Sequence, residues 1–328
     1  MSRRTPEMSV VLLTPDDYET IRRTIRHLRA QTVRDRLEIV IVAPSAAGLG
    51  LDSAELADFL RVEVAEVGPF HSVAAARAAG IRRASAPVVA LGEDHSFPAP
   101  GWAEALIAAH RQPWAVVGPV VANANPESCI SRANYMVEYA PWSEPAVPGV
   151  VDALPGHNSA YKHALLLEYG PDLEAMLEAE CILHQDLQAR GYQVYLEPAA
   201  KTYHVNYSTA FSWIPAQFNG SRLFAVARSR YGRWSLMRRL LYGSAAPLIP
   251  LVRFRRILAK LREKPKPDLR PRLLLWLSVV LLVSAAGEML GYIGGAGRAM
   301  EKLTQLEFNR HLRLSERDTQ MLDLAGPS

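Results

Sequence analysis

A short run of side chains able to bind a metal ion follows an apolar segment in the first third of the chain. Glu93, Asp94 and His95 begin two residues after Leu91, where the apolar segment ends. Carboxylates and an imidazole are hard or borderline ligands, suited to Mg²⁺ or Mn²⁺ bound together with phosphate oxygens. The same residues would also suit a charged surface turn, and the run alone does not decide between these interpretations.

The surrounding pattern predicts the elements that position this run. Apolar runs predict strands, and apolar residues on one helical face predict helices. The predicted strands are 9–13, 37–42, 61–67, 87–91 and 114–121, and the predicted helices are 21–28, 72–84 and 102–110. The alternation predicts an α/β fold with a mostly parallel, doubly wound sheet and helices on both faces. Ligands bind beyond the carboxyl ends of such strands, so Thr14 and Pro15 are expected at the same edge as Glu93.

Two other classes of nucleotide-binding enzyme use comparable sheets. A nucleotide-binding dehydrogenase needs a glycine-rich turn after its first strand. A nucleotidyltransferase typically carries a phosphate loop rich in Gly and Lys or Arg at that point. The residues after Leu13 are Thr-Pro-Asp-Asp-Tyr, without glycine, and this turn disfavours both classes.

Several motifs, taken in their order and spacing, resemble those of family 2 glycosyltransferases. In chain order they are SVVLLTP, AQT, LEIVIV, AARAAGI, EDHSFPAPGW, GHNSAYKH and ARGYQVYLEPAAKTYH, the last ending at His204. The resemblance covers most of the chain up to Arg230. It implies the GT-A fold of nucleotide-diphospho-sugar transferases, and the residue pattern after it predicts additional C-terminal membrane-associated helices. It also implies a metal-dependent, inverting transfer from a nucleotide-sugar donor.

The resemblance assigns residues to the metal and the donor. It aligns Glu93-Asp94-His95 with an Asp-X-Asp motif, so Glu93 is expected at the nucleotide ribose and His95 at the metal, with Asp94 serving both. His204 resembles a second histidine ligand, and its alternative is a structural role. Because an imidazole replaces an aspartate, Mn²⁺ is favoured over Mg²⁺ as the cofactor. Three further residues are assigned to donor binding: Thr14, Pro15 and Arg77.

The resemblance places the catalytic base on Glu180, at the start of a late helix. The helix dipole holds a carboxylate ionised at that position, which suits a base that takes a proton from an acceptor hydroxyl. Glu178, one turn away, is the fallback, and the residue before Glu180 is alanine where the family usually has glutamate. Without the resemblance, Glu180 is an ordinary helix-start residue.

The nucleotide base and the acceptor are less well specified. Family members usually end the second strand with an aspartate that helps to bind uracil, whereas this chain has Ala43. UDP is still the expected nucleotide. Trp102, His157 and Asn158 are expected to border the acceptor, with core packing as the alternative for Trp102.

The C-terminal third carries a different signal. Between Arg222 and Arg272 there are fifteen Lys or Arg against Glu263 and Asp268, a local charge of about +13. A basic helix with Phe254 and Leu261 on its apolar face resembles a bilayer-surface element, and the alternative is a solvated helix packed on the catalytic domain. We therefore predict a catalytic domain over residues 1–235 and a basic, apolar, membrane-associated helical region over 236–328.

The apolar run after Arg272 and the cysteines bear on location. The run 273–287 is short of the ~20 residues that span a bilayer, and the whole stretch to Gly297 would suffice only if it tolerated Glu288. Two cysteines outside any CxxC pattern favour a reducing compartment, and the first residues suggest no export signal. Basic residues beside membrane segments favour the cytoplasmic side, so we expect an enzyme on the cytoplasmic face of the cell membrane. Its acceptor would be lipid-linked or a growing polysaccharide.

Two non-enzymatic alternatives remain at this stage. The basic segment could bind nucleic acid, but it contains no recognised module and its apolar residues suit lipid better, so no nucleic-acid partner is expected. A degenerate GT-A scaffold or a membrane-surface binding protein is the other alternative. The departures at Ala43, Glu93 and His95 keep it open.

Overall fold

The computed structural model describes residues 4–263, 268–308, 310 and 318. Within these residues, nine strands form one sheet. The strands are β1 Met8–Leu13, β2 Leu37–Ala43, β3 Arg61–Glu66, β4 Val88–Leu91, β5 Ser96–Pro98, β6 Val116–Asn123, β7 Gly149–Val150, β8 Ala160–Lys162 and β9 Val194–His204.

Thirteen α-helices are described in the same residues. They are α1 Tyr18–Arg29, α2 Ser53–Leu56, α3 Val73–Arg83, α4 Trp102–Ala109, α5 Cys129–Tyr139, α6 His163–Leu167, α7 Leu173–Leu177, α8 Glu180–Ala189, α9 Ala210–Tyr231, α10 Leu236–Ala245, α11 Ile249–Arg262, α12 Pro271–Gly294 and α13 Ala299–Phe308. Short 3₁₀ turns lie at Arg34–Arg36, Ala140–Trp142, Gly170–Asp172 and Ala246–Leu248.

The sheet has a parallel half and an antiparallel half. Its order is β3-β2-β1-β4-β8-β6-β9-β5, with β7 also paired to β9. The first four strands in this order are parallel. β8 is antiparallel to both β4 and β6, and β9 is antiparallel to both β5 and β7. The parallel half places the carboxyl ends of β1, β2 and β4 at one edge.

Helices cover both faces of the parallel half. Val10 of β1 belongs to the apolar core that includes residues of α1 and α4. Val11 points to the opposite face and packs on α3, where a Cβ added at Gly80 would overlap with it and would lie 2.7 Å from Val42. Successive strand residues thus face opposite helical layers, which confirms the predicted α/β, doubly wound arrangement.

The predicted elements of the first 120 residues agree with the structure to within three residues at each end. Three strands of the antiparallel half, β5, β7 and β8, were not predicted, because they have only two or three residues each. The sheet is therefore mixed, and its parallel part is confined to β1–β4.

The described residues form two compact units. The sheet unit contains residues 4–122 and 146–204, and the helical unit contains the described residues of 123–145 and 205–318. The predicted division at residue 235, between a catalytic and a membrane-associated region, is a functional one and stays a prediction.

The helical unit contains one helix that is long and apolar enough to cross a membrane. This helix is α12, with a mean hydropathy of 2.1 over its most apolar window, of which 44% is buried within the protein. It packs along α9, and a Cβ added at Gly291 would lie 2.8 Å from Ala225. A predicted final helix from Arg298 to Leu314 is described as far as Phe308. Residues 309 and 311–317 lie outside the described residues, as do 264–267 of the predicted basic linker.

Candidate functional site

Strand register brings two distant histidines together. His95 follows the end of β4 and directly precedes β5. β5 pairs antiparallel with β9, and Ser96 lies opposite His204, the last residue of β9. The ring centroids of His95 and His204 are 4.9 Å apart. His95 and His204 are 109 positions apart in the chain. The pairing of β5 with β9 nevertheless brings both predicted histidine ligands into one corner of the sheet.

Three possible metal-ligand atoms converge at this corner. Glu93, His95 and His204 each offer one ligand atom, and these atoms all lie within 4.8 Å of one another. Glu93 Oε2 is 3.3 Å from His95 Nε2 and 3.6 Å from His204 Nε2. All three side chains are largely buried.

Two of these atoms lack hydrogen bonds. Glu93 Oε2 and His95 Nε2 are buried, and neither makes a hydrogen bond to any described residue. Leaving buried polar atoms unsatisfied costs about 1–3 kcal/mol each, so such atoms call for an explanation. A carboxylate oxygen and two imidazole nitrogens at this spacing are a donor set that fits a divalent transition ion. The residues present therefore fit the metal that the motif implies.

Asp94 lies behind this set. Its Oδ1 is 2.5 Å from His95 Nδ1, the ring nitrogen opposite the one that faces Glu93. A carboxylate at Nδ1 fixes the ring orientation and directs the lone pair of Nε2 outward. The structure thus places Asp94 where it can orient His95, outside the converging group. The direct contact of Asp94 with metal or donor stays a prediction.

Arg77 joins the candidate metal corner to the candidate base. Its Nη2 donates to Glu93 Oε1 at 3.0 Å, and its Nη1 donates to Glu180 Oε1 at 2.5 Å. Arg77 lies on α3, which is capped by Ser72 through a hydrogen bond from the Ala75 amide. Because one guanidinium holds both carboxylates, Glu93 and Glu180 occupy one site although they are 87 positions apart.

Glu180 begins α8, as the sequence predicts. Its side chain is 26% exposed, so a substrate hydroxyl can reach it. Gly156 leaves the space that this side chain fills, since a Cβ there would overlap with the Glu180 Cβ, Cγ and Cδ atoms. Glu178, the fallback base, lies at the end of α7. The contact with Arg77 favours Glu180 over Glu178.

The charged groups around Glu93 control its ionisation. Burial alone would raise the pKa of Glu93, but the histidines 157, 95 and 204 together with Arg77 hold this pKa well below its usual range. Burial lowers the pKa of His157, and Arg77 adds to this effect while Glu93 opposes it. Glu93 is therefore ionised, and an anionic carboxylate is the form that binds a cation.

The predicted acceptor residues fall into two groups. His157 lies at the site, with Nδ1 3.7 Å from Glu93 Oε1 and its ring centroid 5.1 Å from that of His204. Trp102 is 1% exposed in the core, and its indole N–H donates to the Asn158 carbonyl at 3.2 Å. A side chain so buried cannot border an acceptor, so the prediction for Trp102 is corrected to its packing alternative.

Asn158 is held in an uncommon backbone conformation beside His157. Its φ is +57°, in the left-handed region that asparagine tolerates better than most residues. Its amide N–H donates to the Leu91 carbonyl at 2.5 Å, and its buried Nδ2 makes no hydrogen bond to a described residue. The turn therefore ties the Asn158 backbone to the end of β4, and an acceptor contact by Asn158 stays a prediction.

Thr14 and Pro15 lie at the expected edge of the sheet. Thr14 is buried, its amide N–H donates to the Val42 carbonyl at 3.0 Å, and its hydroxyl donates to the Asp17 carbonyl at 2.5 Å. The Thr14 side chain therefore shapes the turn after β1, while Pro15 is partly exposed there. The donor contacts predicted for both residues are not tested by these observations.

Two functional features were missed from the sequence. The Arg77 bridge joins three segments that have no shared local pattern, so only the fold reveals it. The role of Gly156 in admitting Glu180 is equally invisible, although the GHNS motif does mark this turn.

The mixed α/β sheet thus brings a carboxylate and a histidine from the end of β4 together with a histidine from the end of β9. Residues 9–145 match the family model described as Glycosyl transferase family 2. This match confirms, for that part of the chain, the resemblance inferred from the motifs. No curated protein sequence matches the chain.

Two solved structures are similar in fold. One is described as the crystal structure of GalNAc-T7 with UDP, GalNAc and Mn²⁺, with 15% identity, a TM-score of 0.48, and 69% of this chain and 48% of that chain covered. The other is S. aureus TarS, with 14% identity, a TM-score of 0.43, and 89% and 55% covered. The chain spans about half the length of each of these proteins.

Proposed function

We propose that this protein is an inverting glycosyltransferase of the hexosyltransferase type. It moves a sugar from a nucleotide-sugar, expected to be a UDP-sugar, to a hydroxyl group of a lipid-linked or polysaccharide acceptor. The observation that carries this proposal is the corner formed by Glu93, His95 and His204, linked through Arg77 to a second carboxylate at Glu180. A cation site beside a basic carboxylate supplies the two chemical functions that glycosyl transfer from a diphosphate needs.

Glu93, His95 and His204 would hold the metal, for which we propose Mn²⁺. Bound there, the ion would neutralise the charge on the diphosphate leaving group. Asp94 orients the His95 ring through Nδ1, and Arg77 holds Glu93 in place from the other side. Asp94 and Arg77 thus hold the metal-ligand atoms in position before the ion binds, which lowers the free-energy cost of metal binding.

Glu180 acts as the base. Its carboxylate takes the proton from the acceptor hydroxyl as the oxygen attacks the anomeric carbon from the face opposite the diphosphate. One displacement of this kind inverts the configuration at that carbon. Arg77 positions Glu180 by its 2.5 Å hydrogen bond, and Gly156 leaves room for the side chain.

The acceptor is proposed to approach beside His157 and Asn158. His157 lies next to Glu93 at the site, and Asn158 is fixed by its bond to Leu91. Trp102 supports this wall from the core through its hydrogen bond to the Asn158 carbonyl. The proposed acceptor side of the site is thus formed by His157 and Asn158, just before β8, with Trp102 of α4 behind them.

We propose that the protein works at the cytoplasmic face of the cell membrane, in the assembly of a surface polysaccharide. The support for membrane association is the apolar helix α12 together with the basic residues that precede it. Cations beside apolar segments are attracted to the anionic inner leaflet. A lipid-linked acceptor would be presented at that surface.

A donor screen tests the proposed reaction. The full chain is incubated with Mn²⁺ and a panel of nucleotide-sugars, and release of the nucleoside diphosphate is measured with and without EDTA. We expect one donor to be hydrolysed or transferred, with the activity lost on chelation. If a donor binds but is not turned over with any acceptor, the degenerate-scaffold alternative is supported instead. If no donor is bound or turned over, the proposal is contradicted.

A further inference from the structure

Helix α10 exposes its apolar face. Leu236, Met237, Leu240 and Leu241 lie at positions i, i+1, i+4 and i+5, which form one side of a helix. Their side chains are 64%, 77%, 41% and 65% exposed. Helices of globular proteins ordinarily bury this side, and a contiguous exposed apolar face marks a contact with a partner or a membrane.

The exposed face continues onto neighbouring elements of the helical unit. Gly243 of α10 packs on Ile293 of α12, since a Cβ added there would lie 2.8 Å from the isoleucine side chain. Arg239 Nε also donates to the Tyr292 carbonyl at 2.8 Å. We call the exposed apolar residues of these neighbouring elements the apolar surface. They lie on α10, on the turn and α11 that follow it, and at the end of α12: Leu236, Met237, Leu240, Leu241, Leu248, Leu251, Val252, Met289, Leu290 and Ile293.

The segment that supplies most of the apolar surface carries charge of one sign. From Arg233 to Arg262 the chain contains eight Lys or Arg and no Asp or Glu. Arg238, Arg255 and Arg256 are exposed in this segment. An apolar face on a segment whose charged residues are all cations matches the surface of a bilayer that contains anionic lipid.

A partly exposed tryptophan, Trp234, lies at the same border. Its ring stacks on that of the buried Tyr292 with centroids 5.5 Å apart, and the Arg238 guanidinium lies 4.5 Å from the Trp234 ring centroid. Tryptophan is enriched where a protein meets the polar headgroup layer, because one part of the ring is apolar and the other is polar.

Helix α12 packs so closely on α9 that both helices would have to enter the bilayer together if α12 crossed it. A Cβ at Gly287 would overlap with the Phe218 carbonyl of α9, and Arg222 Nε donates to the Gly295 carbonyl at 2.6 Å. If α12 spanned the bilayer, Gly287 would lie about 7 Å from its midplane, well inside the hydrocarbon half-thickness of about 15 Å. The buried polar side chain of Asn219, next to Phe218, would be carried to the same depth.

We infer that the chain attaches to one leaflet of an anionic bilayer through the apolar surface, and that α12 does not cross the membrane. This inference rests on the proposed membrane association and specifies its mode. Leu240 and Leu241 insert among the lipid chains, while the arginines at the border contact phosphate headgroups. Helix α12 serves as the central helix on which α9, α10 and α11 pack.

Vesicle binding of the purified full chain tests this inference. Phosphatidylcholine vesicles with and without phosphatidylglycerol are sedimented with wild type, with a Leu240→Glu/Leu241→Glu variant and with Leu167→Glu. Leu167 is a 44% exposed leucine on α6 of the sheet unit, so it is a matched control. We expect binding to the anionic vesicles, a loss of about tenfold or more in the double variant, and no change in the control.

Two further measurements separate the alternatives. Alkaline carbonate should release the wild-type chain from cell membranes, whereas resistance to carbonate would overturn the single-leaflet attachment. Unchanged vesicle binding by the double variant would also overturn the inference. A third outcome would overturn it as well: wild type is a dimer that does not bind vesicles, and the double variant is a monomer. A second copy of the chain would then cover the apolar surface. The donor screen needs no vesicles, so its failure and the failure of this test are independent.

Discussion

At the residue scale, the proposed reaction depends on the carboxylates and histidines that Arg77 and strand pairing bring together. Glu93 Oε2 and His95 Nε2 are buried without hydrogen bonds among the described residues. Glu180 stands apart from them as a partly exposed carboxylate on the other side of Arg77. In the proposed function, Glu93 and the histidines bind the cation on one side of Arg77, and Glu180 takes the proton on the other.

Replacement of Glu180 by glutamine should remove the base and keep the shape of the side chain. We expect the Glu180→Gln variant to lose transfer by about 10²–10⁴-fold, the usual contribution of a general base, while donor affinity stays near that of wild type. Initial rates and donor titration on the same preparation measure both effects. Glu178→Gln is the matched control, and normal turnover by Glu180→Gln would reject the assignment of the base.

Gly156→Ala tests how closely Glu180 is positioned. The new Cβ would overlap with the Glu180 side chain and displace it, and a shift of about 1 Å can cost about 100-fold in rate. Transfer should fall by about this factor, while Mn²⁺ affinity is retained. Gly149→Ala, where a Cβ would meet nothing within 4 Å, is the control. Equal activity of the two variants would show that Glu180 is not held by this contact.

At the scale of elements, strand pairing assembles what the motifs scatter. The sequence predicts β1, β2 and β4 because each is an apolar run between polar turns, whereas β3 alternates charged and apolar residues. It does not predict the pairing of Ser96 with His204, because β5 has only three residues and antiparallel pairing across a long separation has no local signature. The family resemblance could therefore propose each histidine as a metal ligand, but the sequence could not predict that the two side chains are in contact.

Helix packing in the helical unit makes a prediction about stability. A Cβ at Gly291 of α12 would overlap with the Arg222 carbonyl, whereas a Cβ at Gly220 of α9 would meet nothing within 4 Å. Alanine favours a helix over glycine by about 1 kcal/mol, so Gly220→Ala should raise the melting temperature. Gly291→Ala should lower it, because overpacking costs about 1–3 kcal/mol. Thermal unfolding of both variants decides this, and stabilisation by Gly291→Ala would contradict the close packing of α9 and α12.

At the scale of the whole molecule, the two units show how far sequence reasoning extends. The α/β class, the edge that carries the site and the apolar, basic character of the C-terminal third all follow from residue patterns. The amphipathic pattern of α11 also holds, with Ile257 and Leu261 buried and Arg255 and Arg256 exposed. Packing on α12 covers Ile257 and Leu261, whereas Leu251 and Val252 at the start of α11 are exposed together with the apolar face of α10. Sequence periodicity identifies an apolar face but not the partner that covers it.

The central claim is that a divalent cation binds where β4 ends. Titration of the purified full chain with Mn²⁺, followed by the loss of the free-ion electron paramagnetic resonance signal, tests it without donor or acceptor. We expect one site per chain, with an affinity for Mn²⁺ that falls by more than about tenfold in His95→Ala, since even outer-shell changes cost about 10–100-fold in metal affinity. His71→Ala, which removes an exposed histidine, should bind as wild type does. Equal Mn²⁺ binding by wild type and His95→Ala, or no binding by either, would contradict the account.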